Sequence, residues 1–254
     1  ATNMPNLTEI SCFSMTNLNT LNISNLNSLA KLNCLSTSLD TLNLSGFPNL
    51  AEIIYINNGT TAMSLTGLTN LTKLNCSGNQ LTTLTINGLD NLTDLDCSSN
   101  QLTNLNGLAN LTKLNCSYNK LTSLNVNSIT TLNELNCSAN ELTNLSINGL
   151  SNLTKLICNS NKITNLNING LTNLVSLNCG NNDELTSVTL TNLTSLEEFS
   201  VIGNVSGNAV SSSKLTSLNL SGLPNLTKLN CSYGILTSLN LTGLSSLTEL
   251  NCSS

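Results

Sequence analysis

The chain contains no histidine, no tryptophan and no arginine. Without His, neither a Ser-His-Asp nor a Cys-His arrangement can be assembled, so nucleophilic catalysis of those kinds is excluded. The acid pairs that exist, Asp183–Glu184 and Glu197–Glu198, are sequence neighbours beside an irregular turn, and an enzyme is not expected. Aromatic residues make up 2 % and charged residues 8 %, against roughly 25 % charged in an ordinary soluble protein. There is no basic patch to follow a phosphate backbone and no aromatic platform to stack bases, which argues against nucleic acid. No apolar run approaches the roughly 18 residues of a membrane span.

Asn, Thr and Ser supply the missing polarity, and Leu supplies the apolar side chains. Such a bias often marks disorder, but here the leucines recur at fixed intervals, which a disordered chain does not show. The net charge of −5 is spread thinly.

Ten cysteines raise the question of disulfides or metal. They stand at 12, 34, 76, 97, 116, 137, 158, 179, 231 and 252. A step of 21 recurs, for example from 137 to 158 and from 158 to 179. Neither the CxxC of a zinc site nor the uneven spacing of a disulfide scaffold is present. The cysteines are expected to be small buried hydrophobes stacked through a core, with no cofactor and no metal.

Aligned on these cysteines, residues 71–91 read LTKLNCSGNQLTTLTINGLDN and residues 153–173 read LTKLICNSNKITNLNINGLTN. The common form is L-x-x-L-x-C-x-x-N-x-L-x-x-L-x-I/L-x-x-L-x-x. Tyr55 and Val201 take the Cys place in two units that keep the frame. A fixed period of this length is the mark of a solenoid. The L-x-C and L-x-I steps have a period of two, so each coil is expected to offer two short strands. Leu74, Cys76, Leu84 and Ile86 point inward. Stacked coils then form two parallel sheets.

The segment L-x-x-L-x-C-x-x-N-x-L resembles the leucine-rich-repeat family. The 21-residue unit, with a second L-x-x-L-x-L in place of a helix, is similar to the short bacterial, two-strand class of that family. The expected fold is therefore an all-β-leaning solenoid of about twelve coils with little or no helix, one domain over residues 1–254. Three stretches depart from the pattern: an irregular turn at 57–61, a shortened repeat at 97–116 and an insertion at 203–214. No polar capping unit is evident at either end, so either flanking sequence beyond these residues or concentration-dependent end-to-end self-association is expected.

Three ranks of residues recur. The first is Asn58, Asn79, Asn100, Asn119, Asn140, Asn161, Asn182 and Asn204. The family resemblance places this Asn inside the turn, and buried turn groups do need such partners. The second lies three residues before each Cys position: Glu9, Lys31, Glu52, Lys73, Asp94, Lys113, Glu134, Lys155, Ser176, Glu198, Lys228 and Glu249. Every adjacent charged pair alternates in sign. Chance gives that about once in 500, so outward pairing between neighbouring strands is the expected cause. Each exposed pair contributes only about 0–1 kcal/mol, so the ladder sets register more than stability.

The third group is the outward face of the second ribbon: Thr83, Thr85 and Asn87; Ser123, Asn125 and Asn127; Asn144, Ser146 and Asn148; Asn165, Asn167 and Asn169; Thr189 and Thr191. It carries neither charge nor aromatic ring and is the candidate binding face. The resemblance implies a secreted or cell-surface binding or adhesion module whose partner is a protein or a glycan. The flat neutral lattice suggests, as an alternative, a repetitive solid such as ice. A structural stalk or filament segment is the third reading.

Overall fold

A computed structural model describes residues 4–21, 23–39, 44, 47–206, 209–211 and 214–253, with the backbone alone at 204–206 and 209–211. The chain divides into two compact units, residues 1–120 and 121–254. Each is a parallel β-solenoid, and no helix occurs among the described residues.

The first unit holds β1 (Glu9–Phe13), β2 (Lys31–Leu35), β3 (Glu52–Ile56), β4 (Lys73–Asn75), β5 (Asp94–Asp96) and β6 (Lys113–Asn115). They pair in chain order as one parallel sheet. The second unit holds β7 (Glu134–Asn136), β8 (Lys155–Ile157), β9 (Asn165–Asn167), β10 (Ser176–Asn178), β11 (Ser187–Thr189), β12 (Glu198–Ser200), β13 (Asn204–Ser206), β14 (Ala209–Ser211), β15 (Lys228–Asn230) and β16 (Glu249–Asn251). Its main sheet runs β7-β8-β10-β12-β15-β16, all parallel.

The insertion at 203–214 contains the antiparallel hairpin β13–β14. Because β12 pairs directly with β15, the sheet passes the hairpin without a break. Gly203 starts this excursion where a Cβ would lie 1.7 Å from the Tyr233 carbonyl oxygen.

Alternation along each strand builds the core. Leu74, Cys76, Leu156 and Cys158 are fully buried, while the residues between them face outward. The cysteines are free thiols. Burial pushes the Cys34, Cys76 and Cys179 thiols up to about 12, and it also raises those of Cys97, Cys137 and Cys158.

The second ribbon is thinner than a two-strand repeat suggests. Among the described residues it forms a sheet only where β9 pairs with β11. Elsewhere single bridges, Thr85 to Asn106 and Asn125 to Ser146, join neighbouring coils. The inward residues Leu84, Ile86, Leu145 and Ile147 are nonetheless buried, so burial of apolar side chains holds this side where ladder hydrogen bonds are few.

Candidate binding face

The Asn rank is the internal skeleton. Asn161 donates to the carbonyls of Cys158 in its own coil and Cys137 one coil back, at 3.1 and 3.0 Å, and accepts from the Leu142 N–H at 3.0 Å. Asn79, Asn100, Asn119 and Asn182 make the same bridges. Asn58 donates to the Cys34 carbonyl and accepts from the Thr37 N–H, and Asn140 accepts from the Leu121 N–H. All seven are buried. Asn204 opens β13, and its side chain lies outside the described residues.

Two further ranks escaped the reading of the repeat. Asn70, Asn91, Asn152 and Asn173 donate to backbone carbonyls of the preceding coil, at 2.7–2.9 Å. Asn75, Asp96, Asn115 and Asn136 accept from both the N–H and the hydroxyl of the Ser two residues on. This Asx closure ends each strand after three residues. The N-C-S triplet carries the signal.

The outward face of the main sheets carries the charged rank. In the first unit Glu9, Lys31, Glu52, Lys73, Asp94 and Lys113 are consecutive register partners. Glu52 sits 3.3 Å from Lys31 and 3.7 Å from Lys73. In the second unit the series is Glu134, Lys155, Ser176, Glu198, Lys228 and Glu249. Lys228 lies 3.3 Å from Glu198 and 3.9 Å from Glu249. The hydrogen bond it donates to Glu198 and the charges of Glu249 and Glu198 raise its pKa.

In the second unit this outward face is a groove of about 780 Å³. Ser176, Asn178, Ser200, Asn230 and Asn251 line it with hydrogen-bonding groups, Glu198, Lys228 and Glu249 with charge, and Ile157 and Leu250 with apolar surface.

The neutral second ribbon is arranged differently. Thr83, Thr85, Asn87, Ser123, Asn125, Asn127, Asn144, Asn148, Asn165, Asn167, Asn169 and Thr191 are exposed, and Ser146 and Thr189 are half-buried. Several are tied to each other: Asn127 donates to Ser146 and Thr191 to Asn169, while Asn165 accepts from Ser187 and Thr186. Thr41, Asn43 and Ser45 of the same ribbon lie outside the described residues. No group of three Cys, Asp or Glu side chains is placed to hold a metal ion among the described residues.

A family profile described as Leucine Rich repeats (2 copies) matches residues 69–110. The coil geometry of those residues recurs along both units, and solved leucine-rich-repeat structures superpose on most of the chain. The chain has the fold of leucine-rich-repeat proteins, and residues 69–110 carry their sequence pattern. A leucine-rich-repeat protein of Leptospira interrogans is 26 % identical, with a TM-score of 0.75 over 90 % of this chain and 61 % of its own. The functional domain of InlJ from Listeria monocytogenes, whose description includes a cysteine ladder, is 29 % identical, with a TM-score of 0.55 over 97 % of this chain and 67 % of its own. YopM from Yersinia enterocolitica is 25 % identical, with a TM-score of 0.75 over 91 % of this chain and 52 % of its own. The chain thus spans between about half and two thirds of those neighbours. No curated protein matches its sequence.

Proposed function

We propose that this chain is a non-catalytic binding module, working at the cell surface or after secretion, that recognises a protein partner on the outward face of its main sheets. The observation that carries the reading is the groove of the second unit. Its polar lining of Ser, Asn, Glu and Lys converges on one open concavity. A rigid sheet holds these groups at strand spacing, about 4.8 Å, so a matching surface meets them without reorganising the site.

The test is selection of binders from a displayed library of small folded domains, followed by affinity measurement on variants. Ser176→Arg and Asn230→Arg fill the groove while leaving inward residues alone. At least a tenfold loss of affinity for the selected binders is expected. Binders indifferent to both substitutions would overturn the reading.

The neutral ribbon supports a second proposal, recognition of a glycan or of ice, because Thr83 and Thr85 stand exposed and uncharged. Thermal hysteresis or inhibited ice recrystallisation by the pure chain is the expected sign of ice binding. Its absence at high protein concentration removes that proposal.

A further inference from the structure

The inward side of the main sheets carries a regularity made of sulfur. Cys76, Cys97 and Cys116 occupy successive coils of the first unit, and Cys137, Cys158 and Cys179 those of the second. All six are buried thiols. The strands that lead into them are in register, Leu74 with Leu95 with Leu114, and Leu135 with Leu156 with Leu177. The ladder continues through the cysteines themselves. The Cys76 N–H donates to the Asp96 carbonyl at 2.8 Å, that of Cys97 to Asn115 at 2.9 Å, and that of Cys158 to Asn178 at 2.8 Å. One register step beyond Ile54 and Asn75, Tyr55 stands level with Cys76 and ends the first run. Val201 stands level with Cys179 in the same way and ends the second.

In-register neighbours place successive sulfurs about one strand spacing apart, ~4.8 Å. A disulfide requires about 2.05 Å, so the thiols stay separate. Three sulfurs in a row do not converge on one tetrahedral ion, and no group of three His, Cys, Asp or Glu side chains suited to a metal occurs among the described residues. The spacing does match two metal–thiolate bonds laid end to end, at about 2.3 Å each. Linear coordination by two sulfurs is the habit of soft monovalent d10 ions, which thiolates select. The thiols already act on one another: burial first, then the adjacent Cys116 and Cys76, raises the Cys97 thiol, and burial followed by Cys179 raises that of Cys158.

We propose that each run of three thiols takes up two soft monovalent cations of the copper(I) and silver(I) class, one in each gap between successive sulfurs. The first ion replaces the proton of an outer thiol, and the second replaces that of the middle thiol. The middle sulfur then bridges both ions, while the third thiol keeps its proton and offers a lone pair. Two ions enter and two protons leave to solvent, so the apolar core carries no net charge before or after. A divalent ion needs two thiolates for the same neutrality and would leave one gap of each run empty. The ions enter as coils open transiently. The site lies on the inner side of the strands and is independent of the outward binding face.

Silver(I), which needs no reductant, is the probe. It is titrated into the reduced native chain in chloride-free buffer, with bound ion, released proton and circular dichroism followed together. One proton per ion is expected, with the strand signal retained and X-ray absorption showing two sulfurs around each silver. Because Val201 already occupies this rank, valine substitutions there are expected to keep the fold. Cys179→Val, at the end of a run, is expected to lower the number of bound ions by one, and Cys158→Val, in its middle, by two. Cys76→Val and Cys97→Val repeat the contrast in the first unit. Comparing variants cancels the contribution of the remaining cysteines. Cys158→Ala and Cys179→Ala, which add no bulk, give the same contrast should a valine variant unfold. Equal losses from middle and end variants overturn the proposal, since each ion then sits on a single thiol. Uptake without proton release overturns it, as does uptake that begins only once the strand signal is lost.

Discussion

Replacing Asn161 with Ala removes a side chain that four backbone groups share. Each loss can be weighed from its remaining partners. The Leu142 N–H, held at 3.0 Å by Asn161 Oδ1, is buried and left with no acceptor, at a cost of about 1–3 kcal/mol. The Cys137 and Cys158 carbonyls lose one donor each but keep another, from Asn140 at 3.1 Å and Asn182 at 3.1 Å. Those losses, with the contact to the Asn159 carbonyl at 3.3 Å, cost about 0.5–1.5 kcal/mol apiece at most. The expected total is roughly 2.5–7.5 kcal/mol. Asn161→Asp makes the argument sharper. The carboxylate still accepts from Leu142 but turns a second negative oxygen toward two carbonyls. Its pKa is therefore raised above the unfolded value of about 3.9. A raised carboxyl adds stability below that value and loses it as pH climbs, so this variant gains on Asn161→Ala between pH 7 and pH 4. Urea unfolding followed by circular dichroism measures both, with the exposed Asn173→Ala as a control expected to cost about 1 kcal/mol or less, since it removes one bond to the Ser151 carbonyl. A loss below about 1 kcal/mol for Asn161→Ala, or an Asp variant indifferent to pH, would refute the reasoning.

The buried thiols give a chemical prediction: in the folded chain an aromatic disulfide reagent reacts rapidly with exposed Cys252 and slowly with half-buried Cys12, and the other eight react only after denaturation. Because burial lifts the Cys34, Cys76 and Cys179 thiols from 9.0 to about 12, stability is full below pH 9 and then falls by about 1.4 kcal/mol per pH unit per thiol until the folded values are reached, measurable as falling urea midpoints. Glu52→Lys puts three lysines in adjacent register and removes contacts of 3.3 and 3.7 Å. A loss of about 1–2 kcal/mol is expected, shrinking in 1 M salt, and a salt-independent loss would contradict an electrostatic origin. Gly203→Ala forces a Cβ to within 1.7 Å of the Tyr233 oxygen, so a loss above about 3 kcal/mol is expected. Gly149→Ala meets nothing within 4 Å at φ +86 and is expected to cost about 1–2 kcal/mol in melts of the two variants, from backbone strain alone.

Much of this architecture is legible from spacing. The L-x-C step separates inward Leu74 and Cys76 from outward Lys73 and Asn75, because a strand has a period of two. The sign alternation from Glu9 to Lys113 follows from register partners facing the same way. The binding surface was harder to find. The neutral ribbon of Thr83, Asn125 and Asn167 drew notice by composition. The groove around Ser176 and Asn230 takes its lining from five adjacent strands, which no single coil encodes.

The sequence by itself determined the repeat, the inward ranks and the residue types stacked along each face. These follow from chain-local periodicity, which fixes the direction of each side chain relative to its own strand. The tertiary structure alone decided which polar groups find partners: that Asn161 bridges two coils, that Asn127 and Ser146 satisfy each other and that Asn33 keeps an unused acceptor. A hydrogen bond depends on distance and angle between coils, and those are set only when the stack closes.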